Sequence, residues 1–131
     1  MRLNYDDLSH FTKGYVDAMF FTECHCDSPE LEDKGYSDLA DETITKIVED
    51  CAGFEMLHEN LIRRAFFKSN TKYTTEQAGH DFWLTRNGHG AGFWDRGLGE
   101  IGNKLTEACG HGTKYPNLDL YLGDDNKLYL A

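Results

Sequence analysis

Residues 79–100 read GHDFWLTRNGHGAGFWDRGLGE and contain both tryptophans of the chain, with two histidines, two arginines and two aspartates. Seven of the 13 glycines lie between positions 79 and 102. Glycine permits backbone dihedral angles that other residues avoid, and aromatic rings supply large apolar surfaces. This composition predicts a tight corner at which one helix ends and the next begins. We call residues 79–100 the corner segment.

Two interpretations of the corner segment are open. In the first it is structural: the rings belong to the core, Arg86 or Arg96 clamps Asp95, a candidate N-cap of the following helix, and the arginines are buried against Asp95 and Asp81. In the second it is a pocket for a small ligand such as a nucleotide, because arginine grips carboxylates and phosphates in a bidentate manner. The ligand-binding candidates of this second interpretation are His80, Trp83, Arg86, Asn87, His89, Trp94, Asp95 and Arg96.

Helical spacing of apolar residues extends to both sides of the corner segment. It predicts four helices, over about 6–22, from Asp38 or Asp41 to 68, over 74–85 and over 98–108. Gly14 inside the first helix suggests a close packing contact. The second helix would be about 40 Å long, so a break near Gly53 is allowed. Thr74 and Gln77 have the spacing of a capping box at the start of the third helix.

The C-terminal residues predict a β-hairpin. Residues 117–122 alternate between polar and apolar, 123–126 read GDDN, and 127–130 form a second short apolar run. Such a pattern is typical of two strands joined by a tight turn. A chain of 131 residues is long enough for one core. We therefore expect a mainly α, α+β fold, with about four helices and a C-terminal hairpin in a single domain spanning 1–131.

Acidic residues are concentrated in one stretch of the chain. The whole chain has 23 Asp and Glu against 13 Lys and Arg, which gives a net charge of −10. Residues 23–50, which we call the acidic segment, contain ten acids and two lysines and carry −8 (2 − 10), so the remainder carries −2. This balance argues against non-specific binding to nucleic acid or to an anionic membrane.

The acidic segment also has two interpretations. It is either a solvated face that keeps a small protein in solution, or a surface that engages a basic groove of another protein, with carboxylates in place of nucleic-acid phosphates. The second interpretation predicts a protein partner with a basic surface, and no direct contact with nucleic acid or membrane. Its partner-binding candidates are Glu23, Asp27, Glu30, Glu32, Asp33, Asp38, Asp41 and Glu42.

Cysteine chemistry and targeting signals give further expectations. Cys24 and Cys26 are separated by one residue, closer than the two to four residues between zinc-binding cysteines. We expect no cofactor, with zinc as the alternative. There is no basic stretch before an apolar signal core and no apolar run of about 20 residues, so we expect a cytoplasmic protein. No catalytic group is identified, which leaves enzymatic activity open and favours binding.

The block 80–97, HDFWLTRNGHGAGFWDRG, resembles a segment that recurs in small acidic proteins encoded by bacteriophages. The ending 119–129, DLYLGDDNKLY, resembles theirs too, so that the resemblance covers about residues 74–130. That family has no assigned function. The resemblance therefore implies a phage origin, with the cytoplasm of an infected bacterium as location, and no reaction.

Charge and phage resemblance together favour one function. It is a phage accessory protein that binds and inhibits a host protein, such as a nucleic-acid-binding protein of a defence system, through the acidic segment. The alternative is a protein that binds or sequesters a small ligand at the corner segment. A third interpretation is an assembly component that associates with itself.

Overall fold

The computed structural model describes residues 3–24, 29–68 and 72–131. Within them lie five α-helices: α1 (His10–Glu23), α2 (Asp41–Leu57), α3 (Glu59–Lys68), α4 (Thr75–Arg86) and α5 (Glu100–Glu107). Two strands follow, β1 (Leu120–Leu122) and β2 (Leu128–Leu130). Short 3-10 turns lie at Tyr5–Asp7, Pro29–Leu31, Tyr36–Asp38 and Phe93–Asp95. The predicted mainly helical class with a C-terminal hairpin is confirmed, whereas the predicted count of four helices is wrong.

The additional helix arises because the predicted second helix is two helices. α2 ends at Leu57, and His58 leaves the helical backbone with φ −119° and ψ 21° before α3 begins. The break therefore falls at His58 and not near Gly53. Within α3, Ile62 and Ala65 are buried.

The start of α2 agrees with one of the two predicted positions. Its N-cap is Ala40, and Asp41 is the first helical residue. Asp38 instead caps the preceding 3-10 turn, because its carboxylate accepts a hydrogen bond of 2.9 Å from the Gly35 backbone N–H. Asp41 is still placed where the helix dipole favours a negative charge.

The backbones of α1 and α4 approach each other closely at two glycines. A Cβ atom at Gly14 would overlap the Glu76 carbonyl oxygen, and one at Gly79 would overlap the carbonyl oxygen of Phe11. The close contact expected at Gly14 is therefore confirmed, with Gly79 as its counterpart. On the α4 side the helix begins as predicted at the Thr74 N-cap, whose hydroxyl accepts from the Gln77 N–H at 3.0 Å.

The hairpin is fastened to the start of α2. β1 and β2 pair antiparallel, and the Leu120 and Leu128 side chains are buried in the core. The Leu128 carbonyl oxygen accepts hydrogen bonds from the Ala40 N–H at 3.1 Å and the Thr43 hydroxyl at 2.8 Å. The hairpin and the acidic segment are therefore neighbours in the fold, although they are far apart in the sequence.

Candidate functional site

Trp83 of the corner segment belongs to the core. Its side chain is fully buried, and its ring lies edge-on to Tyr15 with 5.3 Å between the ring centroids. The indole N–H donates a hydrogen bond of 2.8 Å to the Thr22 hydroxyl. The ring is thus enclosed between α1 and α4, and its one polar atom has a partner within the protein.

Arg86 is an internal clamp. Its side chain is only 1% exposed, and Nη1 donates to the Asp50 carboxylate at 2.9 Å and to the Tyr15 hydroxyl at 3.1 Å. Nε donates to the Pro116 carbonyl oxygen at 2.9 Å. The guanidinium also lies over the Phe82 ring. These contacts hold a buried charge and connect α4 to α1, to α2 and to the segment before the hairpin.

Arg96 forms the second clamp, and its partner is Asp81. The buried Asp81 carboxylate accepts from Arg96 Nε at 3.1 Å and Nη2 at 2.8 Å. It also accepts from the Tyr73 hydroxyl at 2.5 Å and the Gln77 amide at 3.2 Å. Burial and the adjacent Asp81 carboxylate raise the pKa of Tyr73, and the hydrogen bond to Asp81 raises the pKa of Arg96.

The clamp on Asp95 that the sequence predicts is therefore wrong. Asp95 is exposed and lies in the 3-10 turn Phe93–Asp95, while the N-cap of α5 is Gly99. Neither arginine bonds to Asp95, because the half-buried Asp50 of α2 faces Arg86 and the buried Asp81 of α4 faces Arg96 instead. Local sequence spacing could not identify Asp50, which lies on a different helix.

The remaining candidates of the corner segment are divided between the interior and the surface. The Asn87 amide donates to the Trp83 carbonyl at 2.9 Å and its oxygen accepts from the Leu118 N–H at 2.7 Å. His80 and His89 are half-buried. Trp94, by contrast, is 49% exposed. The candidates thus do not converge on one open cleft.

One cavity does lie at the outer side of the corner segment. It has a volume of about 500 Å³ and brings Asp95 and Arg96 together with residues that precede or begin α4. Its lining residues are Lys72, Tyr73, Thr74, Gln77, Asp95 and Arg96. Of the eight predicted ligand-binding residues, only Asp95 and Arg96 line this cavity.

The acidic segment presents its carboxylates outward. Glu30, Glu32, Asp33, Asp41, Glu42 and Glu49 are exposed, whereas Glu23, Asp38 and Asp50 are half-buried. Leu31 and Leu39 are buried and attach the turns of this segment to the core. Asp27 lies outside the described residues. The exposed charges are therefore carried by backbone that is held in place.

Further acidic residues lie beside the acidic segment. Strand β1 contacts the turn Pro29–Leu31, and Leu39 forms an isolated bridge with Leu128. The hairpin thereby adds the exposed residues Asp119, Asp124 and Asp125. The hydrogen bond to Asp125, with the charge of nearby Glu42, raises the pKa of Tyr129 to about 12.

We define the acidic surface as the exposed carboxylates of these two regions: Glu30, Glu32, Asp33, Asp41, Glu42, Asp119, Asp124 and Asp125. Sequence analysis missed the hairpin's contribution because its acids lie far from the acidic segment along the chain. The leucines of the two predicted strands were the only indication in the sequence that the hairpin packs against the helices. Which helices it packs against is visible only in the structure.

The cysteines among the described residues belong to no group of metal ligands. Cys24, Cys51 and Cys109 have free thiols, and burial together with the Glu23 carboxylate raises the pKa of Cys24. Cys26 lies outside the described residues. Among residues 3–24, 29–68 and 72–131, no three His, Cys, Asp or Glu side chains are grouped as metal ligands. No helix in that part of the chain has the length and apolar character needed to cross a membrane.

No protein-family model matches the sequence, and no curated protein or solved structure matches it either. The choice between the acidic surface and the corner segment therefore depends on geometry. Arg86 and Trp83 are enclosed and hydrogen-bonded within the protein, whereas the acidic surface is exposed.

Proposed function

We propose that this chain is a bacteriophage accessory protein that binds a host protein through the acidic surface and inhibits it. The observation that carries the proposal is the exposure of Glu30, Glu32 and Asp33 on turns attached to the core by the buried residues Leu31 and Leu39. Carboxylates on ordered backbone lose little conformational freedom when they bind, so that more of the interaction energy appears as affinity.

A basic groove that normally receives nucleic acid is the partner with matching chemistry. Its lysines and arginines are spaced to neutralise phosphates, and exposed carboxylates supply the same charge. Electrostatic attraction would accelerate the encounter and weaken as salt is added. A groove filled by the acidic surface excludes nucleic acid, which is a sufficient mechanism of inhibition in the cytoplasm of an infected bacterium.

The test is a comparison of three immobilised proteins in bacterial lysate. The first is the unaltered chain, and the second carries Glu30→Lys, Glu32→Lys and Asp33→Lys. The third carries the same number of reversals at exposed positions outside the acidic segment, Glu76→Lys, Asp95→Lys and Glu107→Lys. Asp38 stays unaltered because its carboxylate caps a turn.

We expect the unaltered chain and the control to retain the same host protein in stoichiometric amount. The variant of the acidic surface loses it, as does the unaltered chain at high salt. Retention by all three proteins would contradict the proposal, because the carboxylates would then contribute nothing to the contact.

A small-ligand function at the cavity beside Arg96 is the second candidate. Asp81 holds the Arg96 guanidinium in place, and Lys72 lines the same cavity of about 500 Å³. Two cations there are suited to a phosphate group. Thermal stability measured with inorganic phosphate and a panel of nucleotides tests this candidate. It predicts a stabilisation that Lys72→Gln abolishes and Lys114→Gln leaves intact, and the absence of any shift excludes it.

A further inference from the structure

A basic helix, α3, follows α2, which begins with acidic residues. α2 begins at Asp41, within the acidic surface, and its 17 residues rise about 25 Å to Leu57. α3 follows directly and carries Arg63, Arg64 and Lys68 against Glu59, a net charge of +2 (3 − 1). This is a basic helix in a chain whose total charge is −10.

A groove lies between this basic helix and α5. Its volume is about 640 Å³, and its lining includes Arg63, Arg64, Phe67, Lys68, Glu100 and Ile101. Glu100 and Arg63 are each partly neutralised, because Lys104 Nζ lies 3.6 Å from the Glu100 carboxylate and Arg63 Nη2 lies 3.6 Å from the Glu59 carboxylate, whereas Arg64 and Lys68 keep their charge. The groove therefore presents an excess of positive charge. We call it the α3–α5 groove.

One exposed aromatic ring, Phe67, lines this groove, and the adjacent Phe66, which lines a different cavity, packs against it. Phe67 is 76% exposed and Phe66 is 41% exposed, and the two rings contact each other edge-to-face at 5.2 Å between centroids. Exposed aromatic side chains surrounded by arginine are typical of protein interfaces. The combination indicates an occupant that supplies both negative charge and polypeptide surface.

We propose that a second copy of this chain occupies the α3–α5 groove with its acidic surface. Glu30, Glu32 and Asp33 of one copy then face Arg63, Arg64 and Lys68 of the other. The two surfaces cannot neutralise each other within a single copy, since the length of α2 between them exceeds the screening length of about 8 Å at physiological salt. Between copies they are complementary in charge.

This contact joins two different surfaces and leaves one of each unoccupied. A contact of this kind builds a ring if the rotation closes and an open chain of copies if it does not. The net charge of −10 on each copy opposes association, so we expect a weak contact that depends on concentration and on salt. The inference stands independently of the proposed function. If both hold, self-association competes with the host partner for the acidic surface.

Analytical ultracentrifugation of a charge-exchange pair tests the proposal. The groove variant carries Arg63→Glu, Arg64→Glu and Lys68→Glu, and the acidic-surface variant carries Glu30→Lys, Glu32→Lys and Asp33→Lys. We expect the unaltered chain to increase in average mass as its concentration rises from about 10 to 500 μM at low salt, and to be monomeric at high salt. Each variant alone is monomeric, because the three substituted side chains now have the same sign as the three residues that they would face in another copy.

An equimolar mixture of the two variants restores association, because every contact between unlike copies again joins opposite charges. Phe67→Ala weakens association of the unaltered chain without any change in charge. A monomeric unaltered chain throughout the range overturns the proposal, as does a mixture that remains monomeric.

Binding of the host partner separates the two proposals. The groove variant loses self-association and keeps the partner, whereas the acidic-surface variant loses both. Self-association with no partner contradicts only the proposed function, and a partner bound by a strictly monomeric chain contradicts only the proposal for the groove.

Discussion

Arg86 and Asp50 form an ion pair of 2.9 Å that joins the corner segment to the acidic segment. The arginine is enclosed in the core, and the aspartate is one of the ten acids of residues 23–50. The buried arginine of the corner segment is thus neutralised by α2. Asp50 is a structural acid, as is Asp38, which caps a turn, while the exposed carboxylates of the acidic segment remain available to a partner.

Replacement of Asp50 by Asn should destabilise the fold by about 2–4 kcal/mol, because it leaves the Arg86 guanidinium buried without a counter-charge. Urea unfolding followed by circular dichroism measures the change. Glu49→Gln is the matched control, since Glu49 is the adjacent carboxylate on the same helix and is exposed. We expect the control to stay within about 0.5 kcal/mol of the unaltered chain. Equal effects of the two substitutions would contradict a structural role for Asp50.

Alanine at Gly14 or at Gly79 should separate α1 from α4. The added Cβ atom overlaps a backbone carbonyl oxygen of the facing helix, and backbone cannot rotate away as a side chain can. We expect a loss of about 3 kcal/mol or more, seen as a lower melting temperature. Gly90→Ala is the control, because nothing lies within 4 Å of its Cβ position. A melting temperature unchanged at Gly14 would show that the helices are not packed this closely.

The two tryptophans should differ in fluorescence. Trp83 is fully buried and hydrogen-bonded to Thr22, whereas Trp94 is 49% exposed. Trp94→Phe should therefore leave a blue-shifted emission that acrylamide quenches poorly. Trp83→Phe should leave a red-shifted emission that is readily quenched, in protein that is also less stable because a large buried ring has been altered. Equal quenching in the two variants would contradict the placement of Trp83.

Alkaline pH should destabilise the protein in part through Cys109. Burial raises the pKa of its thiol to about 12, whereas the pKa of a cysteine thiol in an unfolded chain is about 8.5. Below both values the thiol is protonated in each state, so it contributes no pH dependence. Between them the unfolded state releases a proton that the folded state keeps, so stability falls as pH rises.

Cys109→Ser removes this ionisation and preserves a donor for the Leu105 carbonyl, which the thiol contacts at 3.5 Å. The free energy of unfolding should therefore decline less steeply in the variant between about pH 9 and 11. Urea titrations at pH 7.5 and pH 10.5 measure the difference. If the variant and the unaltered chain differ by the same amount at both pH values, the thiol is not the cause.

The features that the sequence predicted correctly depend on contacts between residues that are close together in the sequence. Thr74 caps α4 because its partner is three residues away, and β1 pairs with β2 across a short turn. The break at His58 was misplaced because apolar residues keep helical spacing through it. Asp50 as the partner of Arg86 could not be identified, since the two residues face each other only after the helices pack, whereas Asp81 lies within the corner segment and was a possible arginine partner.

The candidate sites show the same difference between features that are local in the sequence and features that arise when distant elements pack. Six carboxylates of residues 30–42 were partner-binding candidates from local composition. All are exposed except Asp38, which is half-buried. The hairpin's Asp124 and Asp125 join them through the contact of Leu128 with Ala40, which no local pattern contains. The groove beside Phe67 requires α3 and α5 to be adjacent, and so it appears only in three dimensions.

The affinity between the protein and the captured host protein shows whether the acidic surface binds a basic partner. Calorimetric titration at about 50 mM and 300 mM salt would compare the unaltered chain with the two triple variants. We expect that Glu30→Lys, Glu32→Lys and Asp33→Lys together weaken binding by about 100-fold or more at low salt. The control reversals at Glu76, Asp95 and Glu107 change it only a few-fold, and added salt weakens binding to the unaltered chain. Equal affinities of all three proteins, unchanged by salt, would show that the acidic surface is not the binding site.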